Sequence, residues 1–182
     1  MSNATLFLDR DGVINHDENY VHQINDFVFI DGVFVACQSF IKAGYQIIIV
    51  TNQAGIARGY YTEKDFAILN SWMLAEFKQH GVDIKAVYFC PHHAEHGVGG
   101  YLKQCQCRKP QPGMLLQAIS EHGVDIGSSI LVGDKLSDIL AGKAAGVEKC
   151  FFVKTGKKVL EADCIQADGI FTNLKAVADF IV

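Results

Sequence analysis

Five stretches of this 182-residue chain carry side chains able to do chemistry, and four of them suit transfer of a phosphoryl group. Phe7-Leu8-Asp9-Arg10-Asp11-Gly12 ends an apolar run with two carboxylates one residue apart. Such carboxylates repel, and one tends to keep its proton unless a cation intervenes. With a divalent ion present, Asp9 would stay ionised as a nucleophile. Asp11 would then pass a proton to a leaving alkoxide and later take one from water. Alone, the hexapeptide reads equally well as a solvated Asp-Gly turn. The other stretches change that balance. Thr51-Asn52-Gln53 closes a second apolar run with a hydroxyl, an amide and backbone N–H groups suited to phosphate oxygens. Arg108-Lys109-Pro110 supplies two adjacent cations in a loop entering a helix. Gly133-Asp134-Lys135, with Asp138 one helical turn on, offers the hard carboxylate ligands that Mg²⁺ takes.

The fifth stretch is a metal pattern of another kind. Cys90-Pro91-His92 and Cys105-Gln106-Cys107 form a C-x-H and a C-x-C pair at the two ends of a Gly-rich loop. Three thiolates and an imidazole complete a tetrahedral zinc ion and leave no open position. His93 and His96 are alternative ligands to His92, and the competing reading makes the cysteines small apolar fillers. Cys37, Cys150 and Cys164 are scattered, so the clustering of the other three suggests metal rather than disulfides. Cys107 directly precedes Arg108 and Lys109, so zinc would clamp the loop that carries those cations.

Short apolar runs alternate with helical patterns, which predicts an α/β fold with a mainly parallel sheet. Strands are expected over Thr5 to Asp9, Gln46 to Thr51, Ala86 to Phe89, Ser129 to Gly133 and Lys149 to Val153. Their near-continuous apolar character fits a sheet covered on both faces. Val33, Ala36, Cys37, Phe40 and Ile41 recur at helical spacing, with Gly44 as the stop. Thr62 and Asp65 form a capping-box variant ahead of a stripe of Phe66, Leu69, Met73 and Phe77, ended by Gly81. Pro112 and Gly113 open a third helix through Leu115, Leu116 and Ile119, closed by Gly123. A fourth follows Asp134 and stops near Gly146, and Leu174, Val177, Ala178 and Ile181 mark a C-terminal helix. Ligands bind at the carboxyl ends of strands in such sheets, which is where the acids fall.

The ordered set Asp9-x-Asp11-Gly12, Thr51-Asn52, Lys109 and Gly133-Asp134 resembles the haloacid dehalogenase superfamily, from about residue 5 to residue 153. The resemblance implies a Rossmann-like parallel sheet of strand order 3-2-1-4-5 with helices on both faces. It implies Asp9 as nucleophile and Asp11 as general acid/base, with Thr51 and Lys109 stabilising the transferring phosphoryl group. Mg²⁺ would be held by Asp9, the Asp11 carbonyl and Asp134, and Asp11 favours phosphatases over dehalogenases. No second domain is evident between the motifs, so one domain over residues 1–182 with a minimal loop cap is expected.

Two subfamilies carry a zinc loop with Cys-Arg-Lys-Pro. One acts on D-glycero-D-manno-heptose 1,7-bisphosphate and the other on histidinol phosphate. Similarity to the first lies in Tyr20-Val21-His22, in Phe27 through Val33, and in Thr51 through Gly59, with Ala54 where Ser is frequent. It implies removal of the C7 phosphate, for lipopolysaccharide or glycoprotein heptose synthesis. Asp17, Glu18, Asn19, Tyr20, Thr51, Asn52, Gln53, Ala54, Arg108, Lys109 and Lys135 would face substrate, and the zinc set would be Cys90, His92, Cys105 and Cys107. A spectator phosphate needs a cation, for which Arg108 is the first candidate and Arg58 the second.

The net charge of -4 gives no basic footprint for nucleic acid. No apolar run approaches the roughly 18 residues of a membrane span, and Met1-Ser2-Asn3-Ala4 does not read as a signal segment, so a cytoplasmic location is expected. A monomer is expected, since no apolar helix face is left over. A non-catalytic zinc-containing binding module is the alternative of another class, and a phosphate-accepting receiver a further one. The acid pair, Lys109 and Asp134 speak against the first, and the Asp9/Asp11 spacing and zinc loop against the second.

Overall fold

The computed structural model describes residues 3–157 and 161–182. In chain order the elements are β1 (Thr5–Leu8), α1 (Val33–Lys42), β2 (Gln46–Asn52), α2 (Ala54–Ala57), α3 (Glu63–Gln79), β3 (Ile84–Cys90) and α4 (Gly113–His122). There follow β4 (Ile130–Gly133), α5 (Leu136–Ala145), β5 (Lys149–Val153), α6 (Glu161–Cys164), β6 (Gly169–Phe171) and α7 (Leu174–Ile181). The strands form one parallel sheet of order β3-β2-β1-β4-β5-β6, so the expected order holds and gains a sixth strand at the edge.

Successive strand side chains point to opposite faces, and two cores result. Leu6, Leu8, Ile47, Ile49, Ile130 and Val132 pack with α1, α3 and α7 through Phe40, Met73, Phe77 and Val177. Phe7, Ile48, Val50, Leu131 and Phe152 pack with α4 and α5 through Met114, Leu115, Ala118 and Ile139. This explains why the strands read as continuous apolar runs.

The predicted punctuation is present. Thr62 and Asp65 cap α3 reciprocally, and Gly123 and Gly146 end α4 and α5 in left-handed conformation at φ 57° and 84°. Two expectations are corrected. β1 stops at Leu8, so Asp9 lies just beyond the strand. Leu116 is exposed, because α4 turns Met114, Leu115 and Ala118 inward. The elements α2, α6 and β6 had no expectation. Among the described residues, no helix is long and apolar enough to cross a membrane.

Candidate active site

Because β1 lies between β2 and β4, the residues just beyond these strands converge at one end of the sheet. Asp9, on leaving β1, donates its N–H to the Val132 carbonyl at 3.1 Å. Lys109 arrives from the loop before α4, and its buried ammonium meets three acceptors. These are Asp9 Oδ1 at 2.9 Å, Asp138 Oδ1 at 2.7 Å and the Val50 carbonyl at 2.8 Å. Burial alone would push the Asp9 carboxyl up. The Lys109 and Lys135 charges, with hydrogen bonds from Lys109 and the Arg10 backbone, outweigh it and hold Asp9 below its usual range. Burial likewise disfavours a charged Lys109, yet Asp138 and Asp9 keep its pKa above the ordinary lysine value. An ionised nucleophile candidate and its counter-cation are therefore built in.

Asp134 is different. Both of its carboxylate oxygens are buried and neither has a hydrogen-bond partner. Lys135 Nζ stands 3.8 Å from Oδ2, too far to donate. Burial first, and then the charge of Asp9, push its pKa to about 9. Asp9, Asp134 and Asp138 each offer an oxygen within 4.8 Å of one another. Orphaned oxygens beside an ionised carboxylate are what a hard divalent cation satisfies, so these residues fit one. Main chain closes the cradle. A Cβ at Gly12 would lie 2.2 Å from Asp134 Oδ2, and one at Gly156 would lie 1.9 Å from it. Gly12 also holds φ at 92°. Thr155 Oγ1 donates to the Gly12 carbonyl at 2.7 Å, pinning one glycine's segment to the other's. Asp138 has its own duties, since Oδ1 takes Lys109 and Oδ2 accepts the Lys135 N–H at 3.0 Å. It fixes Lys109 and the start of α5.

Asp11 turns toward Arg10, whose guanidinium is 2% exposed and reaches both Asp11 oxygens, Nη2 at 2.9 and 3.0 Å. Asn15 Nδ2 donates to Oδ1 at 3.0 Å and Gln53 Nε2 to Oδ2 at 3.2 Å. Asp11 opens on a cavity of about 440 Å³ that Asp17, Asn19, Tyr20, Asn52, Gln53, Ala54, Arg108, Lys109 and Lys135 also line. Two residues expected to face substrate do not line it. Glu18 is exposed outside it, and Thr51 is fully buried, its hydroxyl accepting from Gln53 Nε2 at 2.8 Å.

Asn52 and Gln53 line the cavity, but their amides face inward. Asn52 donates to the Lys109 carbonyl and accepts the Lys109 N–H, both at 3.0 Å, which sets the lysine backbone. The Gln53 N–H is used by the Cys90 carbonyl at 2.8 Å. Arg58 is half-buried and is not among the lining residues. The cavity adds Tyr61, Pro110, Ser137 and Lys157, which sequence reasoning missed. Lys157 had one usable signal, because like the other site residues it closely follows a strand, in Lys154-Thr155-Gly156-Lys157. It donates to the Asn19 side chain, and Lys135 pairs with Asp17 at 3.3 Å. Asn19 and Tyr20 are consecutive left-handed residues at φ 63° and 57°, an uncommon arrangement for non-glycine residues.

The four expected zinc ligands meet beside this cavity. Cys90 Sγ is 3.5 Å from Cys105 Sγ and 3.0 Å from Cys107 Sγ; those two are 3.4 Å apart, and His92 Nδ1 is 3.4 Å from Cys107 Sγ. The thiols are free rather than bridged. Zn–S bonds of about 2.3 Å imply ligand separations of about 3.8 Å, so the cluster could hold zinc after a small expansion. His93 and His96 lie against one another instead, with ring centroids 5.0 Å apart and planes tilted by 39°.

A family model described as "HAD-hyrolase-like" matches residues 106–177. The chain is 44% identical over 182 residues to a D-glycero-beta-D-manno-heptose-1,7-bisphosphate 7-phosphatase of Vibrio cholerae, covering 100% of this chain and 98% of the relative. It is 49% identical over 173 residues to a D-glycero-alpha-D-manno-heptose-1,7-bisphosphate 7-phosphatase of Photorhabdus laumondii, covering 94% of each. Among solved structures, a D,D-heptose 1,7-bisphosphate phosphatase from B. bronchiseptica, complexed with magnesium and phosphate, superposes with a TM-score of 0.81. That match has 28% identity and covers 98% of this chain and 97% of the other. Sheet order, clustered acids and near full-length identity agree, and the chain belongs to the D-glycero-D-manno-heptose-1,7-bisphosphate 7-phosphatase family of haloacid dehalogenase-like phosphatases.

Proposed function

We propose that this chain removes the C7 phosphate of D-glycero-D-manno-heptose 1,7-bisphosphate through an aspartyl-phosphate on Asp9. The observation that carries the reading is the buried Lys109–Asp9 pair beside the partnerless Asp134 carboxylate. An oxygen of Asp9 attacks phosphorus, the bond from phosphorus to the C7 oxygen breaks, and Asp11 gives that oxygen its proton. Asp11 then takes a proton from water, whose oxygen attacks the same phosphorus and frees phosphate and Asp9. Mg²⁺, held by Asp9, the Asp11 carbonyl and Asp134, would supply positive charge where the carboxylate meets the phosphoryl oxygens. Lys109 would steady the phosphoryl oxygens, while Thr51, fully buried and off the cavity lining, is given no contact with them. Arg108 donates at 3.3 Å to the His92 carbonyl and has further N–H groups free for the spectator phosphate.

The test is turnover of both heptose bisphosphate anomers, the matching monophosphate and histidinol phosphate with Mg²⁺. Relatives named for each anomer stand at similar identity, so both belong in the panel. A heptose bisphosphate is expected to dominate, and Arg108→Ala to erode its preference over monophosphate by about tenfold, the worth of roughly 1.4 kcal/mol. Dominant turnover of histidinol phosphate would remove the substrate assignment while leaving the phosphatase chemistry in place.

The Cys90, His92, Cys105 and Cys107 cluster is read as a structural zinc site that holds the loop carrying Arg108 and Lys109. Metal analysis of protein purified without chelator should find one zinc per chain. Cys107→Ser should lower both zinc content and Tm; zinc-free protein of unchanged Tm and activity would rule this out.

A further inference from the structure

Asp11 can serve the proposed chemistry only if its side chain is held in place. One amide touches both it and the buried Thr51 hydroxyl. The two hydrogens of Gln53 Nε2 go to Thr51 Oγ1 at 2.8 Å and Asp11 Oδ2 at 3.2 Å, and its Oε1 accepts from the Tyr61 hydroxyl at 2.5 Å. The opposite amide orientation would set Oε1 against the Asp11 carboxylate, so the hydrogen bond from Tyr61 selects the orientation that donates toward Asp11. Gln53 is 1% and Tyr61 6% exposed, so water does not readily replace a lost partner. Burial holds the phenol above its usual range, which keeps it a donor. The ring is itself fixed. It stacks on His22 with centroids 4.9 Å apart and planes 4° from parallel, and a Cβ at Gly55 would lie 2.1 Å from Tyr61 Cε1.

We infer that Tyr61 is a positioning residue that acts through Gln53 to aim the Asp11 carboxyl. This rests on the role proposed for Asp11, and the test separates the two. The readout is kcat/KM on two leaving groups: the C7 alkoxide of heptose bisphosphate, which needs a proton, and p-nitrophenolate, which leaves without one. Tyr61→Phe keeps the ring. It should cost about tenfold on the sugar phosphate, the worth of one well-placed hydrogen bond, and less than about twofold on p-nitrophenyl phosphate. The sugar loss should fall in kcat with KM little changed. Gln53→Met, of similar shape, should show the same selectivity, and adding Tyr61→Phe to it should cost nothing more, since Tyr61 then has nothing to act through. The single Gln53→Met variant keeps the question answerable should Tyr61→Phe fold poorly.

Equal losses on both substrates, no loss on either, or additive losses in the double variant would overturn the inference. Asp11→Asn is the control on the reading beneath it. If Asp11→Asn shows the leaving-group selectivity and the Tyr61 and Gln53 variants do not, the inference alone fails. If Asp11→Asn lacks that selectivity, the proton-transfer role of Asp11 fails and the inference with it.

Discussion

Asp9→Asn is expected to lose at least about 10⁴-fold in kcat for phosphate release while remaining folded. The change keeps the shape of the side chain and removes its nucleophilic, charged oxygen. Lys109 would still have Asp138 Oδ1 at 2.7 Å and the Val50 carbonyl at 2.8 Å, so its ammonium is not stranded. Loss of the Asp9 charge also removes one of the influences that raise Asp134, so the remaining acids are under less strain. Phosphate release in the presence of Mg²⁺ measures the effect, and mass spectrometry after rapid acid quench should find a phosphorylated chain only with Asp9 intact. Turnover within tenfold of the parent would sink the proposed chemistry, and with it the distinction from a phosphate-binding module that never reacts.

Lys109→Met should be costly twice over. It removes the cation that keeps Asp9 reactive, so activity is expected to fall by about 10³-fold. It also leaves Asp9 and Asp138 buried and facing each other beside Asp134, because the lysine that separates them is 4% exposed and Lys135, the other cation near them, is paired with Asp17. Removing one partner of a buried pair costs about 3–5 kcal/mol.

The pH dependence comes from the direction of the shifts. In the parent, Asp9 is held low, so its contribution is present above the unfolded carboxyl pKa and fades as pH falls through the folded value. In the variant the same carboxyl would be pushed up, so its folded form is favoured only in acid. The stability gap between parent and variant should be widest near neutral pH and close below about pH 4. Urea unfolding in metal-free buffer across that range measures it. A gap independent of pH would mean that the loss is one of packing rather than charge.

Much of this architecture can be read from residue order because a covered parallel strand must be apolar on both faces. Leu6, Phe7 and Leu8 serve two cores in alternation, so their run is unbroken and its end is sharp. Polar residues come directly after each sharp end, and that contrast located Asp9, Thr51 and Asp134. β6 escaped notice for the opposite reason. Gly-Ile-Phe is three residues long at the sheet edge, with Ile170 47% exposed, so it leaves almost no apolar signature. α2 is a single turn containing Gly55, too short for any period. Leu116 misled because an apolar residue adjoining a buried stripe need not belong to it.

Within the site, identity was legible and partnership was not. The amide of Asn52 suits phosphate oxygens, yet its geometry is spent on the backbone of Lys109, 57 residues away. Asp138 was visible as an acid one turn beyond Asp134, but its hold on Lys109 depends on a loop whose path no local pattern specifies. Tyr61 reads as one more aromatic residue before a helix until Gln53 is seen beneath it.

The two glycines that flank Asp134 carry a consequence for redesign. On two sides its carboxylate is walled by peptide units, so side-chain substitution offers no handle on those walls of the cage. Magnesium accepts oxygens at about 2.0–2.1 Å and calcium at about 2.3–2.6 Å. Widening the seat for a larger ion therefore calls for re-routing the segment after β5 as a body, with Thr155 as its latch on the Gly12 carbonyl.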